Sequence, residues 1–383
     1  MTLRGTNQES GRPYNRRIVL ETIRLYAPIS RGDIAKRVGL TVQTVSNIIR
    51  ELELQGFLTA EREAPKGRGY PATSLAINPE GGFAIGLNVT PMGIDAALVN
   101  LGGVILHRGR RDIAHAAPDR AFADIAELAE EMKALKPRNR ILGTGLAMPG
   151  PFDVESMSFV GPTTLQGWKG VAVRDRLAHA TGLPAFTDVD VAAAALGERL
   201  YGAGRALHDF YYLYLGVGLG GTMVHDGRAL RGAHGNAGEI GHLPVVPDGE
   251  ACACGNRGCL ERYLSLEARD RRLPGVGEEG WIAEVTPLFR AAVVTVENLF
   301  DPETIILGGL ADARLLERLI EAAQPLPHSV AERRGRTMAR LIPSAAGADA
   351  VLRGAAALAI SGLLAPRMDA AEASDPLMAG HAA

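Results

Sequence analysis

Apolar residues in the first part of the chain recur at helical spacing and later switch to short runs of strand length. Ile18, Val19, Thr22, Ile23 and Tyr26 share one helical stripe, which Pro28 stops. Ser30 is a good N-cap for a second helix over 31–38, buried through Ile34, Ala35 and Val38, and Gly39 breaks it. A third helix is predicted over 41–54, with Val45, Ile48, Ile49 and Leu52 on its inner face. Gly56 ends it, and 57–59 reads as a strand. Beyond Asn78-Pro79 come apolar strands at 83–89, 94–98, 141–147, 211–215 and 304–307, with helical stretches at 121–135, 171–181 and 191–201. That alternation is α/β architecture. No fixed-period repeat is present. The segment 366–383 is Ala-, Asp- and Met-rich without periodicity and is expected to be disordered.

Two short helices joined at a glycine form a helix-turn-helix. Thr41, Gln43, Thr44, Ser46 and Asn47 occupy the exposed N-terminal face of the third helix. Short polar side chains there can reach base edges and phosphates, as a recognition helix requires. The basic run 66–71 (Lys-Gly-Arg-Gly-Tyr-Pro) between two expected strands suits a wing, with Arg68 placed against the DNA backbone. Charge agrees with this: residues 1–72 carry a net +5, whereas the rest of the chain carries a net −7. At 383 residues with 22% charged side chains, the chain is globular and too long for one ordinary domain. No run is read as long and apolar enough to cross a membrane, and 1–10 lacks a signal-peptide core, so a cytoplasmic location is expected.

The three cysteines all lie between 252 and 259. Cys252, Cys254 and Cys259 together with His242 supply one imidazole and three thiolates, the donor set of a closed, tetrahedral, structural Zn2+ site. Glycines at 255 and 258 let the backbone fold tightly around an ion. A second motif, 216–222 (Gly-Val-Gly-Leu-Gly-Gly-Thr), follows an apolar strand. Such a glycine-rich turn can present backbone N–H groups to phosphate, although turns of this composition are often only structural.

Several stretches together resemble the ROK family of repressors, open reading frames and sugar kinases. They are 145–153 (Gly-Leu-Ala-Met-Pro-Gly-Pro-Phe-Asp), 165–168, Asp190 with 193–198, 213–221, Arg231-Gly232, 238–242, the cysteine cluster through Glu261, and 301–309. They cover most of 80–360 in the family's order, and 11–75 resembles the winged helix of its repressor branch. The resemblance implies a DNA-binding domain over 1–78 and a two-lobed, ribonuclease-H-like or actin-like sugar-kinase fold over 79–365. It implies a sugar pocket formed by Asp190, Glu239, His242 and Glu261, with Asp190 at the general-base position of the family's kinases. Gly216, Gly218, Gly220 and Gly221 would be the remnant of a phosphate loop.

The departures from the family pattern are as informative. Where the kinases place Asp-x-Gly-Gly-Thr, this chain reads Asn88-Val89-Thr90-Pro91-Met92; where they place Asn-Asp-x-Asn, it reads Val189-Asp190-Val191-Ala192. The stretch 261–301 also looks shorter than the family's helical insert. The expected function is therefore a non-enzymatic transcriptional regulator that binds an operator in double-stranded DNA and senses a sugar or sugar phosphate, as a homodimer or larger assembly. A sugar kinase with a DNA-binding arm is the enzyme alternative, and the first loop speaks against it. A DNA-binding scaffold controlled by a protein partner is the third class, kept open by Val189 and Ala192.

Overall fold

The computed structural model describes residues 12–62, 73–113, 117–150, 165, 167–168, 170–233, 235–333 and 335–364. The expected wing tip with Arg68, the motif residues 151–153 and 166, and the expected tail at 366–383 lie outside them.

The chain opens with α1 (Arg12–Tyr26), α2 (Arg31–Val38) and α3 (Val42–Leu54), then a hairpin of β1 (Leu58–Arg62) and β2 (Thr73–Ile77). The hairpin pairs antiparallel from Leu58 opposite Ile77 to Arg62 opposite Thr73. Ser30 caps α2 by accepting from the Asp33 N–H, and Gly39 ends it at φ 69°, in the left-handed region. Thr41 caps α3 by accepting from the Thr44 N–H. Ile18, Ile23, Ile34, Val38, Val45, Ile49 and Leu52 close the core beneath. The result is a winged helix-turn-helix with the polar face of α3 turned outward.

Two lobes follow. The first is a five-stranded sheet in the order β5-β4-β3-β6-β7, built from β3 (Phe83–Thr90), β4 (Gly93–Asn100), β5 (Ile105–Asp112), β6 (Ile141–Met148) and β7 (Ala185–Val189). β3, β4 and β5 form an antiparallel meander, while β6 and β7 run parallel to β3. Period-two alternation divides β3 between two cores. Phe83, Ile85, Leu87 and Val89 meet α4 (Pro118–Lys133), with α5 (Val173–Thr181) alongside; Ala84 faces α9 (Ala350–Leu364) through Leu352 and Ala356.

The second lobe is ordered β10-β9-β8-β11-β12, from β8 (Phe210–Leu215), β9 (Leu219–His225), β10 (Arg228–Ala229), β11 (Thr304–Gly309) and β12 (Leu341–Pro343). α7 (Leu266–Phe300) and α8 (Ala313–Ala322) cover one face. The other face, through Phe210, Tyr212, Tyr214 and Ile306, packs on α9 and on α6 (Asp190–Tyr201).

α6 carries the chain from the first lobe to the second, and α9 carries it back. They cross at small residues: Gly354 lies against the Ala193 carbonyl and Gly197 against the Ala350 carbonyl, with no room for a side chain at either contact. This pair is the junction of the two lobes.

One expectation is corrected here. The stretch Gly347–Leu364 is, by length and composition, apolar enough to cross a membrane. In this fold it includes α9, whose apolar face is spent between α6 and the first sheet. The boundary at 78/79 also marks no break in packing. Leu20 and Ile23 of α1 share one apolar cluster with Leu101, Ile360 and Leu364. Arg140 of the first lobe donates to the Gln55 carbonyl at 2.5 Å, and Asn78 donates to the Gly56 carbonyl at 2.7 Å.

Candidate functional site

The expected pocket residues come from three separate elements. Asp190 is the first residue of α6, directly after β7, at the carboxyl end of a parallel strand where α/β sheets place ligands. Its Oδ1 accepts from the Val191 N–H at 2.8 Å. Glu239 precedes the short 3-10 turn Ile240–His242, and Glu261 sits in the turn Leu260–Arg262. Glu261 Oε2 accepts from the Leu219 N–H at 2.9 Å, which fixes it to the start of β9. Burial first, with the Glu239 and Asp188 charges adding to it, pushes the Asp190 carboxyl up to about 7, against the Val191 N–H bond, which outweighs either charge. Glu239 is also raised, by burial and then by Glu261, with His242 acting against the shift. Glu239 itself stays open to solvent, with 46% of its side chain exposed, so hydroxyl donors can reach it.

The native state therefore keeps the Asp190 proton where the unfolded chain has lost it, so stability falls as pH rises from about 4 to 7. Asp190→Asn is expected to melt higher than the parent at pH 8 and alongside it near pH 4.5. A difference in melting temperature that is independent of pH would count against this.

Of the four glycines expected in a phosphate turn, two stand elsewhere. Gly216 and Gly218 form the β8–β9 turn, closed by a Gly216 N–H to Gly218 O bond of 2.9 Å. Gly220 and Gly221 belong to β9, opposite Tyr214 and Leu213. Val191 packs over Gly220 and the Tyr211 ring over Gly221, so packing alone accounts for both glycines.

The sequence reading missed one residue pair in the cleft. Asp188, 4% exposed, receives both terminal nitrogens of Arg231. Asp188 belongs to the first lobe and Arg231 follows β10 in the second, so this bidentate pair spans the cleft. Nothing in the sequence pairs them, since 43 residues separate Asp188 from Arg231.

Beside the pocket, His242, Cys252, Cys254 and Cys259 bring one donor atom each to within 4.8 Å of one another. Cys252 Sγ lies 3.6 Å from His242 Nδ1, and Cys254 Sγ lies 3.7 Å from Cys259 Sγ. A tetrahedron with metal–sulfur bonds of about 2.3 Å has edges near 3.8 Å, so the donors already have the spacing an ion requires. The cage is built by backbone. Cys252 N–H donates to Asn256 O at 2.8 Å, Gly255 N–H donates to Cys252 O at 3.0 Å, and Gly258 (φ 71°) abuts the Val246 carbonyl. Burial, then the two neighbouring thiols, push Cys259 up to about 12, and only a cation would let all three ionise together. His242 Nε2 faces away, 4.0 Å from Glu239 Oε2. The four residues fit a metal ion, and their position ties it to the pocket carboxylates.

In the N-terminal domain, Thr41, Gln43 and Asn47 are exposed, and Thr44 and Ser46 are half-buried. Gln43 Nε2 donates to Asn47 Oδ1 at 3.3 Å, aligning the two amides on one face. The Thr41 and Thr44 hydroxyls bond each other at 2.8 Å, so both serve the helix cap in this state.

A winged helix joined to a two-lobed kinase-type body is the class these features define. The ROK family model matches residues 84–291, more than half of the chain, and the MarR family model matches residues 10–69. The chain belongs to the ROK family. It is 29% identical over 333 residues to the xylose repressor of Caldicellulosiruptor bescii, covering 78% of this chain and 83% of that one. Among solved structures, a ROK family transcriptional regulator described as a homolog of the Escherichia coli MLC protein superposes with a TM-score of 0.71. It is 26% identical and covers 93% of this chain and 97% of its own. A ROK family glucokinase from Streptomyces griseus, solved with glucose and AMPPNP, has a TM-score of 0.60 at 25% identity. It covers 73% of this chain and 100% of its own.

Proposed function

We propose that this chain is a transcriptional repressor of carbohydrate-metabolism genes, acting on an operator in the cytoplasm as a homodimer. A sugar bound by Asp190, Glu239, His242 and Glu261 would control it, beside one structural Zn2+ held by His242, Cys252, Cys254 and Cys259. The observation that carries the DNA reading is the outward face of α3, with Gln43 and Asn47 presented beside the β1–β2 hairpin. Repressors among its relatives support it. The proposed base readers are Gln43, Thr44 and Asn47, with Thr44 having to leave its bond to Thr41; Ser46 and Arg68 mainly contact the backbone, and Thr41 lies beside them on the DNA-binding face. Asn47→Ala is expected to relax specificity about tenfold at one or two operator positions, whereas Arg68→Ala should weaken all sequences alike and flatten the salt dependence. Binding to a selected duplex that survives deletion of residues 1–75 would overturn the assignment.

The first loop speaks against the kinase alternative. Thr90 and Gly93 face each other across a two-residue β3–β4 turn. Within it Pro91 has no N–H, and the Met92 N–H is bonded to Thr90 Oγ1 at 3.2 Å. Asn88, buried and neutral, stands where the kinases have a carboxylate. Few donors are left to hold a nucleotide phosphate in line, and positioning supplies most of the catalysis in phosphoryl transfer. No ATP-dependent phosphorylation of glucose, mannose, N-acetylglucosamine or xylose is expected. Sugar phosphate formed at a rate abolished by Asp190→Ala would refute this.

A further inference from the structure

The backbone holds Arg231 in place from both sides. The Leu230 N–H donates to the Met223 carbonyl of β9 at 2.7 Å, and the Arg231 carbonyl accepts from the Ala237 N–H at 3.1 Å. The chain then returns to β9 at Gly238, at φ 101°, where a side chain would strike the Gly221 carbonyl. Glu239 is the next residue. Along the same stretch of β9, Glu261 accepts from the Leu219 N–H and Val191 covers Gly220. Asp190, Glu239 and Glu261 therefore each lie within one residue of a contact with 219–221, close to where Arg231 is anchored.

The Arg231 guanidinium meets Asp188 end-on, one terminal nitrogen to each carboxylate oxygen. Asp188 is buried, whereas the Arg231 side chain is 52% exposed. The cation is thus open to solvent and already neutralised. Asp188 is two residues from Asp190, a span of no more than about 7 Å between Cα atoms. A phosphate on a sugar held at Asp190 would come within reach of this guanidinium, but would have to draw it from its partner. Asp188 would keep, among the described residues, only its bond from the Val189 N–H at 2.8 Å. Stripping a buried carboxylate of its cation is costly.

We propose that Asp188 determines which sugars the pocket admits: by occupying Arg231 it makes the site one for uncharged sugars and turns their phosphate esters away. The proposal rests on the sugar pocket proposed above and names its ligand class. Selectivity then comes from a cation withheld as much as from contacts made.

The test uses the full chain and calorimetric titration with glucose, mannose, N-acetylglucosamine and xylose, each alongside its terminal phosphate ester. In the wild type, the sugar that binds best should bind roughly 100-fold or more tightly than its ester. Asp188→Asn keeps the shape of the side chain and releases the guanidinium. It should cut that ratio roughly tenfold, through a gain for the ester. Adding Arg231→Met should abolish the gain, which assigns it to the guanidinium. A pair that only braces the fold would weaken sugar and ester alike, and an unmoved ratio in Asp188→Asn would overturn the proposal. Arg231→Met alone decides the matter if Asp188→Asn does not melt cooperatively. It leaves Asp188 charged and uncovered, so discrimination should widen roughly threefold or more; an unmoved or narrower ratio would count against the proposal in the same way. So would a wild type that favours the ester. Binding of neither form of any of these sugars would overturn the sugar pocket, and this reading with it, leaving the DNA reading in place.

Discussion

If the proposed zinc ion is bound, Cys259→Ser is expected to abolish its binding and to lower stability on the order of 5 kcal/mol, among the larger losses from one substitution. The size follows from how the loop is held. Between Pro244 and Cys259 the backbone is tied by isolated bridges and turn bonds, and Cys259 is fully buried at the cage floor. Serine offers a poorer ligand, and three remaining donors do not close a tetrahedron. The loss should spread to the pocket, since Glu239 is three residues before His242 and Glu261 two after Cys259. Sugar affinity should fall 10- to 100-fold, while duplex binding without sugar stays within a few-fold of wild type. Elemental analysis, melting and a thermal-shift titration with xylose and glucose check the three parts. Wild-type protein purified without metal, melting as high as the zinc-loaded form, would remove the claim.

Gly354→Val is expected to destabilise by about 3 kcal/mol or more, the upper range for overpacking. A Cβ at this position would overlap the carbonyl carbon and oxygen of Ala193, which are backbone atoms and cannot rotate away. The α6–α9 crossing would have to open. A useful control is Gly275→Ala in α7, where a new methyl meets nothing within 4 Å. There the substitution should stabilise by about 0.4–1 kcal/mol through a less flexible unfolded chain and better helix propensity. Parallel denaturant titrations settle both. Equal midpoints for Gly354→Val and wild type would show that the crossing is loose.

These contacts mark the limit of what the sequence discloses. Local signals were strong. Ser30, Gly39 and Thr41 announced the ends of α2 and α3, the Val45-Ile48-Ile49-Leu52 stripe announced the inner face of α3, and cysteine spacing announced the metal cluster. What could not be read depends on meetings between distant residues. Asp188 and Arg231 are 43 residues apart and carry no mutual pattern. Gly220 and Gly221 looked like loop residues because composition does not show that Val191 and Tyr211 occupy the space above them. The apolar stretch of α9 was given no element of its own in the sequence pattern, and only packing on both faces shows why it is so apolar.

α9 has one more consequence, and it concerns the order in which the protein is made. The face of the first sheet that it covers, through Ala84, Ala97 and Val99, belongs to strands that leave the ribosome early. The helix follows about 250 residues later, so at about 5–20 residues per second that face waits roughly 12–50 s for its cover. The winged helix waits with it, because α1 shares that same cluster. During this interval the nascent chain carries an apolar sheet face that neither lobe can bury, and the DNA-binding domain gains its full footing only when residues 350–364 arrive.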